Sequence, residues 1–195
     1  MTNPEMTDAG LSTSTTVTGV DETGAIREVQ LVGERPLTIY VDKQEIVTLM
    51  TIGSHPELLT LGYLKNQGFF EAINDIKIVQ VDWQTDSVAV ITTQQSSDFS
   101  EQMQRRTVTT GCGQGTVFGR LMDKIQGLKT AEHNIKQSTL YALLDSVRSH
   151  NDVYKKAGAV HGCALYTDDK LDLFVEDVGR HNAVDAIAGH MWLNN

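Results

Sequence analysis

Apolar and polar residues alternate with a period of two in several short runs of this chain, and with helical spacing in others. Residues 26–32 (IREVQLV), 37–41 (LTIYV) and 45–50 (EIVTLM) are rich in Val, Ile and Thr and are separated by turn residues. This predicts three short strands. Residues 76–82 (IKIVQVD) and 87–93 (SVAVITT) alternate on either side of Thr85-Asp86, which predicts a hairpin. Residues 160–166 (VHGCALY) and 171–175 (LDLFV) flank Asp168-Asp169-Lys170 and predict another hairpin or tight connection.

Helical spacing begins at Pro56, with Leu58, Leu59, Leu61 and Leu64 on one broad face and Gly68 at its end. The segment TVFGRLMDKI after Gly115 suits a helix. Ser138 reads as the cap of the next, with Leu140, Leu143, Leu144 and Val147 on one face. Ala183 to Trp192 predicts a final short helix. Residues 94–105 are polar and carry no clear period. The first 25 residues are rich in Thr and Ser and contain Asp8, Asp21 and Glu22. They predict a disordered, solvated tail over 1–25, followed by one folded domain over 26–195. The mixture of elements indicates an α/β or α+β class.

Composition narrows the function. A chain of 195 residues that is 40% hydrophobic and 21% charged supports one globular domain with a sizeable core. The net charge of −9 argues against nucleic acid as the main ligand, because phosphate binding needs a basic patch. Two cysteines, Cys112 and Cys163, are too few for a disulfide framework. No apolar run approaches the roughly 18 residues of a membrane span, and the N-terminus lacks the pattern of a signal peptide. The expectation is a cytoplasmic protein in a reducing compartment, with neither a membrane nor a nucleic acid among its partners.

Two segments carry the chemistry. Thr110-Gly111-Cys112-Gly113-Gln114-Gly115 places a thiol among glycines, ahead of the helical pattern. A thiolate is the nucleophilic form, and a helix N-terminus or a nearby cation favours it. Gly111 and Gly113 let a bulky partner approach, and their N–H groups suit an anion. The competing interpretation is a buried cysteine acting as a small hydrophobe. Cys163, inside an apolar strand pattern, is read that way. His161 stands at the start of the same strand, either as a satisfied core residue or as an acid–base group.

The second segment, Glu176-Asp177-Val178-Gly179-Arg180-His181-Asn182-Ala183-Val184-Asp185, follows a strand and opens a helix. Arg180 suits a phosphate or carboxylate. Asp177 is placed to orient His181 or Arg180, and Asn182 or Asp185 to cap or bind. A salt-bridged strand-to-helix turn bent at Gly179 is the plainer alternative. The sequence contains no C-x-x-C pair, no deaminase-type zinc signature, no Walker loop and no G-x-G-x-x-G after a strand.

At these residues the chain resembles the FdhD family, the formate dehydrogenase accessory sulfurtransferases. EDVGRHNAVD at 176–185, His161 in GAVHGCALY and Cys112-Gly113 in TTGCGQG carry the likeness, with weaker agreement at Glu34-Arg35-Pro36-Leu37 and from His55 to Phe70. The resemblance implies a cytidine deaminase-like α/β/α sandwich without zinc or any other metal of its own, preceded by a small β-rich part, and a homodimer. It implies sulfur taken as a persulfide on Cys112 from a cysteine desulfurase. The sulfur would go to a molybdenum or tungsten bis-molybdopterin guanine dinucleotide cofactor before that cofactor enters formate dehydrogenase. Cys112, His161 and His181 would then be the catalytic residues. Gly111, Gly113, Arg180, Asp177 and Asn182 would bind the cofactor.

Two departures stand out. Many family members carry Cys-Gly-x-Cys at the reactive loop, and Gly115 occupies the second cysteine position here. Family members also continue past the DVGRHN helix with further strands and a cofactor segment, so the chain is expected to be incomplete at its C-terminus. Rival expectations are a non-catalytic chaperone that shields the cofactor, and a Cys–His hydrolase with Cys112 activated by His161 or His181.

Overall fold

The computed structural model describes residues 3–94, 99, 134–167 and 169–194 in full, and 106–109 and 115–118 as backbone. Its centre is a five-stranded mixed sheet in the order β1-β6-β7-β4-β5. These strands are β1 (Glu5–Met6), β4 (Arg35–Val41), β5 (Gln44–Thr51), β6 (Ile76–Asp82) and β7 (Ser87–Thr92). β4 and β5 form a tight hairpin whose turn residues Asp42 and Lys43 have φ of 44° and 76°. Those angles match the right-handed twist of the strands. β6 and β7 form the hairpin predicted around Thr85-Asp86, and β7 then pairs in parallel with β4.

Burial alternates along β4, β6 and β7, as a period of two requires. Leu37, Ile39, Val41, Val79, Val88 and Val90 share one core with Leu59, Leu61 and Leu64 of α1 (Pro56–Asn66) and with Ala183, Ala186 and Trp192 of α4 (Arg180–Asn194). Helices therefore cover one face of this sheet among the described residues. α1 ends as predicted: the N–H of Gly68 reaches the carbonyl of Lys65, that of Phe69 reaches Leu64, and Gly68 has φ 72°. α1 and α4 cross at two glycines. A Cβ on Gly62 would lie 1.6 Å from the carbonyl oxygen of Asp185, and one on Gly189 would lie 2.0 Å from that of Leu58.

Among the described residues three further pairs complete the strands: β2 (Ser14–Val20) with β3 (Ile26–Val32), β8 (Arg106–Thr109) with β9 (Gly115–Phe118), and β10 (His161–Thr167) with β11 (Lys170–Asp177). α2 (Gln137–His150) lies against β10, and the short α3 (Asp152–Ala157) against β3. No helix among the described residues is long and apolar enough to cross a membrane.

The structure corrects three expectations. The tail predicted over 1–25 holds two strands, and residues 5–11 are stitched onto the domain. β1 pairs with β6. Glu57, buried at the start of α1, accepts from the hydroxyl of Thr7 at 2.7 Å and the N–H of Ala9 at 2.9 Å. Trp83 donates its indole N–H to the carbonyl of Ala9 at 2.6 Å. A Thr-rich composition reads as solvated, yet threonine is β-branched and pairs well when an edge is available. Second, the helix expected over residues 116–125 opens as a strand, Gly115–Phe118, in keeping with the β preference of Thr, Val and Phe, and residues 119–125 lie outside the described residues. Third, Lys136 and not Ser138 holds the N-cap position of α2, with no side-chain capping bond, and the apolar stripe of the helix is only half covered, with Leu140 and Leu144 exposed.

Candidate functional site

The candidate site lies where β11 becomes α4. Leu173, Val175 and their neighbours alternate into the core, and Glu176 and Asp177 follow, both buried. A buried carboxylate needs donors on both oxygens, and Asp177 has them. One oxygen accepts from the Thr51 hydroxyl at 2.5 Å and the Ile52 N–H at 3.2 Å. The other accepts from the Gly179 N–H at 2.9 Å and the Asn182 side-chain amide at 2.8 Å. Asn182 donates again to the carbonyl of Met50 at 2.6 Å. Asp177 thus orients Asn182 and the end of β5, in place of the expected Arg180 or His181. Gly179 bends where a side chain would collide with Asn182 at 2.9 Å.

This clamp leaves Arg180 and His181 exposed on the first turn of α4, and their side chains make no hydrogen bond or ion pair to another described residue. His161 is exposed too, and it stands directly opposite Asp177 in the β10–β11 ladder. The hairpin therefore brings His161, Arg180 and His181 to one end, where the N-terminus of α4 adds a partial positive charge. That arrangement can hold an anion and can move a proton. Glu176 points the other way: its two oxygens accept the N–H groups of Val153 and Tyr154, each at 2.9 Å.

Cys112, Gly111 and Gly113 lie outside the described residues. β8 and β9 flank them in sequence, and the ladder ends at Thr109 opposite Gly115. Residues 115–118 are a strand, so the helix start expected directly after this loop is absent there. Cys163 is half-buried against the core, and burial pushes its thiol up. His55, before α1, is half-buried as well. Burial pulls its imidazole down, Glu57 works against that, and His190 adds to it. Asp185, facing α1, is pushed up to about 6 by burial, and the 2.7 Å hydrogen bond from Asn66 offsets part of the shift. Among the described residues no group of three or more His, Cys, Asp and Glu side chains is arranged to hold a metal ion.

Thr51 carries no signal in the sequence, and Glu176 stands there only as the first residue of the 176–185 segment, with no role of its own. Neither has a local signal for these bonds, since Asp177 lies 126 positions from Thr51, and Val153 and Tyr154 lie more than 20 positions from Glu176.

Fold and site define a mixed α/β protein with an exposed histidine–arginine–histidine group at a strand-to-helix turn. Residues 32–195 match the FdhD/NarQ family, and the chain belongs to it. Relatives that carry the name Sulfur carrier protein FdhD include two from the genus Bacillus. The one from Bacillus pumilus is 33% identical over 168 residues, covering 85% of this chain and 63% of its own length. The one from Bacillus subtilis is 32% identical over 177 residues, covering 89% and 67%. This chain thus spans about two thirds of their length. The fold is similar to that of a protein from Desulfotalea psychrophila described as a formate dehydrogenase accessory protein. That likeness has a TM-score of 0.65 at 19% identity over 93% of this chain and 68% of the other.

Proposed function

We propose that this chain is a sulfur carrier in the maturation of formate dehydrogenase. Its membership of a family whose relatives bear that name carries the proposal. The exposed His161, Arg180 and His181 at one end of the β10–β11 hairpin support it. In this reading the thiolate of Cys112 attacks the terminal sulfur of a persulfide on a cysteine desulfurase. A sulfur–sulfur bond forms on Cys112 as the donor's breaks, and the donor leaves as a thiolate. One loop cysteine suffices for this step. The acceptor of the sulfur is a molybdenum or tungsten bis-molybdopterin guanine dinucleotide. Arg180 binds its phosphates as a bidentate donor, assisted by the backbone of Gly111 and Gly113. His161 and His181 hold or release protons at the same end. Asp177 and Asn182 act from behind, by fixing the turn. Conversion of the carried sulfur to a sulfide ligand takes two electrons, which a small thiol reductant would supply.

The finer family features belong to the same reading: a deaminase-like sandwich that uses no zinc, a homodimer, and a cytoplasmic location. The test is direct. The protein is incubated with a cysteine desulfurase and cysteine, and added sulfur is located by mass spectrometry. The expected result is one extra sulfur on Cys112, absent from Cys112→Ser. Sulfur on Cys163 with Cys112 unmodified overturns the assignment.

A further inference from the structure

The side chain of Glu176 reaches a separate piece of the chain. α3 has only six residues, and its N-cap residue Asn151 makes no side-chain capping bond. So short a helix is unstable by itself, and the N–H groups of its first turn need acceptors. Glu176 supplies both of its oxygens, one to Val153 and one to Tyr154, each at 2.9 Å and from more than 20 positions away. Two parallel bonds to one planar carboxylate fix rotation as well as distance. They hold α3 to β11 in one orientation.

The neighbouring contacts tighten this attachment. Gly162 is opposite Glu176 in the ladder. A Cβ there would come within 2.5 Å of the Asn151 side-chain oxygen and 2.9 Å of the Phe174 ring. The start of α3 is therefore pressed against both strands, at the end that bears His161. From Ala157 the chain passes Gly158 (φ 67°) and Ala159 (φ 57°), buries Val160, and enters β10 at His161. A positive φ at an alanine is strained and persists only where both ends of the connection are held. One end is held by the ladder to Asp177 and the other by Glu176.

We infer that Glu176 is a positioning residue: by anchoring α3 it sets where His161 stands relative to Arg180 and His181. This rests on the sulfur-carrier reading for its consequence, though not for its geometry. Glu176 touches neither the sulfur nor its acceptor. It acts through the three-residue connection into β10.

The experiment compares wild type with Glu176→Gln and Glu176→Ala. The glutamine keeps the size and one acceptor, but turns an NH2 group toward one of the two backbone donors. Three quantities are read: sulfur loaded on Cys112 by desulfurase and cysteine, activation of formate dehydrogenase in an extract freed of its own sulfur carrier, and the ring resonances of His161. Amide exchange at Val153 and Tyr154 reports the cap itself. The expected result for Glu176→Gln is wild-type loading, activation lowered about tenfold by misplacement of a group near the chemistry, displaced His161 resonances, and faster exchange at both amides. Unmoved His161 resonances despite faster exchange, or activation equal to wild type, overturn the inference and leave Glu176 as a helix cap alone. Failure of the wild type to load overturns the sulfur-carrier reading instead, and the His161 and exchange measurements then still decide the positioning. Should Glu176→Ala not fold, Glu176→Gln carries the test.

Discussion

Thr51 donates a 2.5 Å hydrogen bond to the carboxylate of Asp177, 126 positions later in the chain. The bond ties the end of β5 to the turn that presents Arg180 and His181. With the bonds from Ile52, Gly179 and Asn182, it makes a buried charge tolerable. Thr51→Val removes one donor and keeps the shape. It is expected to cost about 2 kcal/mol, the size of a hydrogen bond to a charged group. Asp177→Ala leaves several donors without an acceptor and is expected to cost about 3 kcal/mol or more. Urea unfolding midpoints check both, and a loss below about 0.5 kcal/mol for Asp177→Ala would contradict the clamp.

The crossing of α1 and α4 leaves no room for a side chain at Gly62 or Gly189. Gly62→Ala and Gly189→Ala each place a methyl group within 2.0 Å of a backbone oxygen, which forces the helices apart. Each is expected to destabilise the protein by about 3 kcal/mol, despite the better helix propensity of alanine. Circular dichroism during thermal unfolding reads this, and a raised melting temperature for either variant would refute the close approach.

Asp185 makes stability depend on pH. Its folded value of about 6 lies above the ordinary 3.8. A carboxyl raised in this way contributes stability that is fully present below pH 3.8 and is lost as pH rises through about 6. The loss amounts to about 3 kcal/mol at 1.36 kcal/mol per unit. Asp185→Asn keeps an acceptor for Asn66 and removes the charge. It is expected to be more stable than wild type at neutral pH and to lose that advantage in acid. Parallel pH dependences of the unfolding midpoint for the two proteins would show that Asp185 is not the responsible group.

Arg180 is expected to bind phosphates with both arms of its guanidinium. Arg180→Lys keeps the charge and loses the fork, so affinity for guanosine diphosphate, used as a fragment of the dinucleotide acceptor, should fall about tenfold. The side chain is exposed, so the melting temperature should stay where it is. Calorimetric titration measures the affinity, and equal affinity for both forms returns the turn to a purely structural role.

Much of this fold was legible. The strands from β3 to β7 and the β10–β11 pair follow from alternation, which one-sided burial imposes directly on side-chain polarity. The Arg180–His181 turn was legible because charge follows an apolar run at a glycine. What stayed hidden depended on partners distant in sequence. Nothing near Glu176 announces that it caps a helix more than 20 positions earlier. Nothing near Thr7 announces Glu57, so the Thr-rich N-terminus read as solvent-exposed. Gly62 and Gly189 look like ordinary helix interruptions until the two helices are seen to cross. Gly115–Phe118 was misread because the helix-forming residues after it outweighed three β-prone ones.

The glycine crossing also dictates an order of events during synthesis. The ribosome releases α1 and the strands around it well before α4, so the side of α1 that carries Leu58 and Gly62 waits bare while most of the chain emerges. Pairing of the sheet cannot shelter it. Among the described residues, the late arrival of Gly189 and the Asp177 turn closes that side, and the contacts that do so span more than 100 positions. Long-range closure of this kind is slow, and the chain that awaits it is exposed to aggregation and proteolysis. The nascent chain thus depends on the segment that also bears its most distinctive chemistry. A lesion at Gly189 would lower the amount of protein in the cell even if every residue of the site were intact.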